Sequence, residues 1–514
     1  MKESPLWQKH SPAENPTSNV AQIEKHTPHL SPTQSELATM SITLPLTGSL
    51  HSFWNSPNAT WNFDDSVFLP DSAYLDAHST LRNHLMYETR SNRTTRQTMP
   101  DPYRHEGPMP TSTYFEQISG QTVDLSMALD DHPPEGFTFS RSSTQELSEE
   151  EFALWKNWID EIAPWLDKFD SERHFQYVLP IMARSHDHLR YSMLAVSARQ
   201  IERQQHSRQT EKSLSLYQMA IHHVLPELHT RSTPVIATCV ILCVLEMLSS
   251  SAKAWRQHLD GCAHLIEAVG INGFSGGLAQ ALFWCFARMD VCGGLIASER
   301  TLIPIAHWSG GANDQLQTRE MIARGSFEAH ACRAVYLCAQ VLDLLAFRPH
   351  LAERVGASDL TSDSSEEYAT SWKTLWDSIQ DWNTTRPAEM LPISSTTTPT
   401  KPFPMILYSN PAAISGNQLY HTASILMLRR RPSQISGKPK PNSIFWHARQ
   451  VCAISTSNHH HGAWSNSIQP LWIAGQWMTH ESEQKAILEL YERIEKETGW
   501  GTKWRAEDLK EFWG

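Results

Sequence analysis

Thr233-Pro-Val-Ile-Ala-Thr-Cys-Val-Ile-Leu-Cys-Val-Leu-Glu-Met-Leu248 decides how this chain folds. The run opens at Ser232-Thr233-Pro234, a hydroxyl cap with proline in the first turn, and it closes in Ser249-Ser-Ser251. That punctuation predicts one short helix. Apolar around nearly its whole circumference, such a helix must lie inside a stack of other helices. Its longest apolar run, Val235 to Leu245, is too short to cross a bilayer.

Working outward, Trp255 to Val269 predicts a second helix closed by Gly270 in the left-handed cap position. Asn272-Gly273 and Gly276-Gly277 form a tight turn before a third helix over Leu278 to Asp290. Upstream, Trp155, Trp158, Ile159 and Ile162 recur at helical spacing, with Pro164 ending or bending that helix. A short helix over Glu172 to Leu179 stops at Pro180. Leu189, Met193, Val196 and Ile201 fall near one face of a helix over 186–208. Leu214 to Leu228 forms another, with Pro226 set to end it early. Further helices are expected near 318–346, 365–382, 412–430, 441–458, 466–480 and 481–497, with 385–405 a loop. No stretch alternates apolar and polar residues long enough to make a sheet, so the fold class is all-α, a large body of antiparallel helix pairs.

Composition divides the 514 residues. Residues 1–150 hold 14 of the 30 prolines and carry 9 Lys and Arg against 19 Asp and Glu, which places −10 of the net −12 there. We expect 1–147 to be a flexible acidic Pro/Ser/Thr-rich region and 148–514 to be the helical domain. Within the former, Trp61-Asn-Phe-Asp-Asp-Ser-Val-Phe-Leu-Pro70 mixes acidic and large apolar residues. It reads equally as a docking motif or as a strip packed on the body. Neither half has the positive field of a surface that grips nucleic acid by itself. The start lacks an apolar segment with a cleavage site, which disfavours secretion, and no membrane span is expected.

The eight cysteines, at 239, 243, 262, 285, 292, 332, 338 and 452, sit mostly in apolar helical context and read as reduced core thiols. Cys239 and Cys243 share a helix face, but no second pair stands at ligand spacing, so packing is preferred over metal binding. Arg429-Arg-Arg431 with Lys438 and Lys440 is the densest basic feature. It reads as a water-facing helix end rather than an import signal or phosphate patch. Arg90, Arg93 and Arg96 form a thinner basic patch.

His459-His-His461 could approach a metal, but three adjacent histidines cannot all point at one ion. A nearby carboxylate or thiolate would be needed to complete a shell, and the nearest cysteine is Cys452, so a solvated loop is the preferred reading. Arg288 and Asp290, with His258 and Asp260 on the preceding helix, interrupt apolar surroundings. Being two apart, Arg288 and Asp290 are expected to find separate partners. Trp255, Trp284 and Trp308 lie near the glycine turn in sequence. They read as core first and as walls of an effector cavity second. Trp500, Trp504 and Trp513 read as an aromatic seal on the last helices. Nothing arranges a nucleophile, base and oxyanion donors, so no catalytic, cofactor-binding or metal residue is assigned and no cofactor is expected.

Residues 186–203, 214–228, 234–310 and Thr498-Gly-Trp-Gly-Thr-Lys-Trp-Arg505 resemble the fungal-specific transcription factor domain. This is the helical regulatory region of zinc binuclear cluster regulators. The motifs carrying the resemblance are Trp255-Arg-Gln-His-Leu-Asp-Gly-Cys262, Gly270-Ile-Asn-Gly-Phe-Ser-Gly-Gly277, Ala281-Leu-Phe-Trp-Cys-Phe-Ala-Arg-Met-Asp290 and Gln469-Pro-Leu-Trp-Ile-Ala-Gly475. The resemblance implies transcriptional regulation in a nucleus, of a metabolic gene cluster for example. Its partners would be other regulators or a second copy, and it would have a small-molecule effector. In that family a separate module with six zinc-binding cysteines contacts DNA. Here the first cysteine is Cys239, so DNA binding is expected only through a partner or a module outside this sequence.

Overall fold

The computed structural model describes residues 72–97, 148–205, 211–250, 252–309, 326–355, 362–435 and 443–514. The chain divides into two units, Met1–Asn62 and Phe63–Gly514, and every described residue belongs to the second. The architecture is all-α. Its longer helices are α1 (Ser72–Gln97), α2 (Glu149–Asn157), α3 (Asp187–Gln204), α4 (Glu211–Val224), α5 (Thr233–Ser249), α6 (Ala252–Val269) and α7 (Gly277–Ala297). They continue with α8 (Phe327–Val355), α9 (Ser362–Thr384), α10 (Pro411–Arg429), α11 (Ile444–Ser457), α12 (His461–Gly475), α13 (Glu481–Thr498) and α14 (Lys503–Trp513).

Neighbours in sequence pack as neighbours in space: α3 lies against α4 and α5, α5 against α6, α10 against α11, α11 against α12, and α13 against α14. The longer-range pairing of α8 with α10 closes the other side of the body. The deciding helix α5 is buried from Val235 through Glu246, as its composition demands. Each large aliphatic side chain so removed from water contributes roughly 1.5–3 kcal/mol. Ser232 holds the cap position with extended backbone, but its hydroxyl makes no capping bond. Phe327–Ala346 in α8 is long and apolar enough to span a bilayer, yet 67% of it is buried inside the helical body, as befits a core helix.

Three local features differ from the sequence reading. Pro164 does not end its helix: a π-helical turn over Trp158–Ile162 precedes it, and the helix runs on as Ala163–Leu166 with the proline in the first turn. Pro180 does not stop a helix. It stands in the first turn of the short helix Leu179–Met182, where its missing N–H costs nothing. Within 385–405, expected to be a loop, Ser394–Thr396 forms a three-residue strand, β1. It pairs antiparallel with β2 (Met405–Leu407), with Ser395 opposite Ile406.

Of the stretch expected to be mostly flexible, Ser72–Gln97 is described and forms α1. It packs on α6 and α4 and buries Tyr74, Leu81 and Leu85. Polar contacts fasten it. His78 Nδ1 lies 2.7 Å from Glu246 Oε2, the one carboxylate of α5, which also accepts from the Tyr217 hydroxyl. Tyr74 Oη lies 2.6 Å from Ser213 Oγ, and the Arg199 guanidinium sits 5.3 Å from the Tyr74 ring centre. Tyr74, His78, Leu81 and Leu85 recur at helical spacing, which was the available signal. The trough they fill runs past Gly261, where a Cβ would come within 3.1 Å of Leu85. The other residues of 1–147 lie outside the described set, Trp61–Pro70 among them.

Candidate functional site

The glycine turn positions the site. Gly276 and Gly277 take φ of +77° and +48°, which side chains disfavour, and α7 begins there. Gly273 is required for a different reason. Its N–H donates to Trp308 O at 3.0 Å, its carbonyl accepts from Trp284 Nε1 at 3.1 Å, and a Cβ would fall 2.7 Å from the Trp284 ring. The turn is thereby pinned to the face of α7.

A cavity of about 310 Å³ lies between this turn, the segment Leu166–His174 and the start of α8. Phe169, Phe274 and Trp284 supply apolar wall; Asp170, His174, Arg288 and Glu328 supply polar wall. Asp170 Oδ2 accepts from the His174 backbone N–H at 2.8 Å and faces His174 Nδ1 at 2.8 Å. Burial would raise the Asp170 carboxyl, but the hydrogen bonds from His174 outweigh it and hold the carboxyl below its ordinary value. Burial likewise opposes protonation of His174, and Asp170 with Glu172 overcomes it and raises the imidazole. Asp167, just behind the wall, accepts from the N–H groups of Phe175 and Gln176 at 2.9 Å each, and burial still pushes its carboxyl up to about 7. Arg173 is held in the left-handed region at φ 52°, a strained conformation for a residue with a side chain.

Arg288 separates this cavity from a smaller one of about 40 Å³ that Lys168, Cys285, Cys292 and Trp500 line. Its Nη2 donates to Leu166 O at 2.7 Å, its Nε to Trp284 O at 3.3 Å, and its plane lies 5.0 Å from the Phe169 ring centre. Its Nη1 has no hydrogen-bond partner among the described residues. Lys168 donates to Gly462 O, and burial together with the Arg288 charge pushes its ammonium well below the ordinary value. A guanidinium with a spare donor beside an aromatic wall can hold an acceptor-bearing or anionic small molecule.

The other candidates resolve individually. Arg288 and Asp290 have separate partners, as expected, because Asp290 accepts from Leu302 N at 2.8 Å and Ile303 N at 3.1 Å. Asp260 lies 3.5 Å from His264, and the His258 side chain is outside the described set. Of the three tryptophans, Trp284 lines the cavity. Trp308 stacks edge-on to Trp284 and Phe283, and Trp255 packs at Gly293. Cys239 and Cys243 are buried, and burial pushes both thiols well above their ordinary value, which favours the protonated form. Arg429, Arg430 and Arg431 are half-buried rather than water-facing; Arg431 donates to Ile435 O and the Arg430 carbonyl accepts from Tyr368. Lys438 and Lys440, and the side chains of Arg90, Arg93 and Arg96, are outside the described set.

Two residues that matter went unnoticed in the sequence, Glu246 and Arg505. Arg505 is buried between the rings of Trp472 (4.2 Å) and Trp504 (3.9 Å), pairs with Asp508 at 2.6 Å and donates to Gln469 at 3.0 Å. Trp500 packs on Trp165, and Trp513 Nε1 donates to Gly475 O at 2.9 Å, so the closing tryptophans do seal the last helices.

The helical body thus carries a cavity of about 310 Å³ beside the glycine turn, and a wider cleft of about 830 Å³ lies between the β1–β2 ribbon and α13. Residues 153–513 match the fungal specific transcription factor domain, and the chain belongs to that family. The family is one of transcription-factor domains, not of enzymes. The chain is also similar to the transcription activator AMTR1 of Alternaria alternata, at 22% identity over 337 residues. These take in 54% of this chain and 44% of that protein, so the match spans less than half of the relative's length. No solved structure matches the chain significantly.

Proposed function

We propose that this protein regulates transcription in the fungal nucleus, with a metabolic gene cluster as its target. The observation that carries this reading is the family domain itself, which runs through 153–513 and takes in nearly all of the helical body. It would act by presenting a helical surface to other regulators or to a second copy. A small molecule in the cavity beside Arg288 would bias it between two arrangements, provided it prefers one of them. The direct experiment fuses the chain to a heterologous DNA-binding domain and measures a reporter, with genome-wide transcript levels after deletion as the companion. A changed reporter and a coherent set of altered genes support the reading; an inert fusion with an unaltered transcriptome overturns it.

A second reading is a partner-dependent coactivator or corepressor that does not contact DNA itself. It is favoured by residues 1–150, which hold no cysteine and carry a charge of −10. Chromatin occupancy that disappears when a DNA-binding relative is removed supports this version. Occupancy by this chain alone rejects it.

A further inference from the structure

The histidine triplet at the start of α12 gains from the fold what its sequence lacked. Two of its three rings converge while the third does not: His459 Nε2 lies 2.6 Å from Glu497 Oε2, and His461 Nε2 lies 3.5 Å from the same oxygen. The three ligand atoms of His459, His461 and Glu497 fall within 4.8 Å of one another. His460 occupies the N-cap of α12 and is not a member of the group.

The surroundings are organised as a metal ligand set requires. The remaining nitrogen of His461, Nδ1, is bonded to Glu161, a carboxylate behind the ring that fixes its orientation and leaves Nε2 to offer a lone pair. The remaining oxygen of Glu497, Oε1, accepts from Arg493 Nε at 2.9 Å, which leaves Oε2 facing both imidazoles. Trp464 packs against both rings, 4.5 Å from His459 and 5.5 Å from His461 between centres. The group ties the loop before α12 to the last turn of α13 and, through Glu161, to the π-helical turn after α2.

We propose that His459, His461 and Glu497 form a binding site for a borderline divalent cation, zinc above all, with the coordination completed by water. Two imidazoles and one carboxylate are an established donor set for zinc with an open position. Tetrahedral bonds of roughly 2.0–2.1 Å separate ligand atoms by about 3.3 Å. The His461 to Glu497 distance already fits this, the His459 to Glu497 contact opens by less than about 1 Å, and the two imidazole nitrogens, up to 4.8 Å apart, close by about 1.5 Å. On entry the ion replaces the protons that bridge the rings to Glu497, and these leave to solvent. The Arg493 charge nearby weakens the site. The bound ion would clamp three separate segments of the body, so zinc would act as a structural or sensory input that the family assignment does not supply.

The test uses the full chain without a histidine tag and zinc chloride as titrant, followed calorimetrically in a non-chelating buffer. Seven of the eight cysteines are buried, and the half-buried Cys292 has its thiol pushed up to about 11 by desolvation, so none offers a ready thiolate. One saturable zinc per chain is expected. His459→Ala removes an exposed side chain, so folding is retained, and it should weaken binding at least about tenfold, as should Glu497→Gln. Glu161→Gln should weaken it about tenfold through the outer contact. His307→Ala disrupts a surface pair with Glu267 that joins no third ligand among the described residues, and it should change nothing. X-ray absorption of the zinc-loaded protein should report two imidazoles. Indistinguishable isotherms for the wild type and His459→Ala, or no saturable binding, overturn the proposal and leave an ordinary ion-pair network.

Discussion

Asp290 should make this protein less stable as pH rises through the mildly acidic range, and Asp290→Asn should abolish that trend. The carboxyl is fully buried, and burial raises it from an ordinary 3.8 to about 6, against the opposing bonds from Leu302 and Ile303. A group whose folded value exceeds its unfolded value holds more protons when folded. Its contribution is therefore most favourable below pH 3.8 and is lost as pH climbs through about 6. A shift of roughly two units corresponds to about 3 kcal/mol. Asn keeps one acceptor for the two backbone N–H groups and aims a donor at the other, which costs about 1–3 kcal/mol at every pH. The variant should thus be clearly weaker than wild type near pH 4, and the gap should close or reverse by pH 7. Urea unfolding of both proteins across that range measures it, and subtraction cancels Asp167, which titrates in both. A gap that stays constant with pH, or widens toward neutrality, refutes the reasoning.

Two further substitutions probe the packing. Leu81→Ala truncates a fully buried side chain of α1 and should cost about 2–5 kcal/mol, read as faster amide exchange in α1 and the facing part of α6. Arg505→Ala strips a buried cation from Trp472, Trp504, Asp508 and Gln469. It should destabilise the C-terminal helices by about 3–5 kcal/mol, with a lowered midpoint in thermal melts followed by tryptophan fluorescence.

The helices themselves were legible because apolar spacing and punctuation act locally. Ser232 with Pro234, Gly270 and the Gly276-Gly277 turn all mark real boundaries. What failed to show was long-range partnership. α1 carries the right spacing, but it lies among polar and proline-rich neighbours, and its fastening depends on Glu246, some 170 residues away. That lone acid in an apolar run gave no hint of its donors. The neighbours of the histidine triplet were likewise out of reach of local reading, since Glu161 stands 300 residues before His461 and Glu497 stands 38 residues after His459. Trp284 was singled out for its position beside the glycine turn, a local signal; Asp170, His174 and Glu328 reach the same cavity from other segments.

The seating of α1 has a practical corollary for dissecting this protein. A fragment begun at residue 148 would bare an oily furrow along α6 and α4 and take His78 away from Glu246. Such a fragment would self-associate or recruit chaperones for reasons unrelated to regulation. Gain or loss of reporter output on trimming the amino-terminal portion is therefore interpretable only when the cut falls before Ser72.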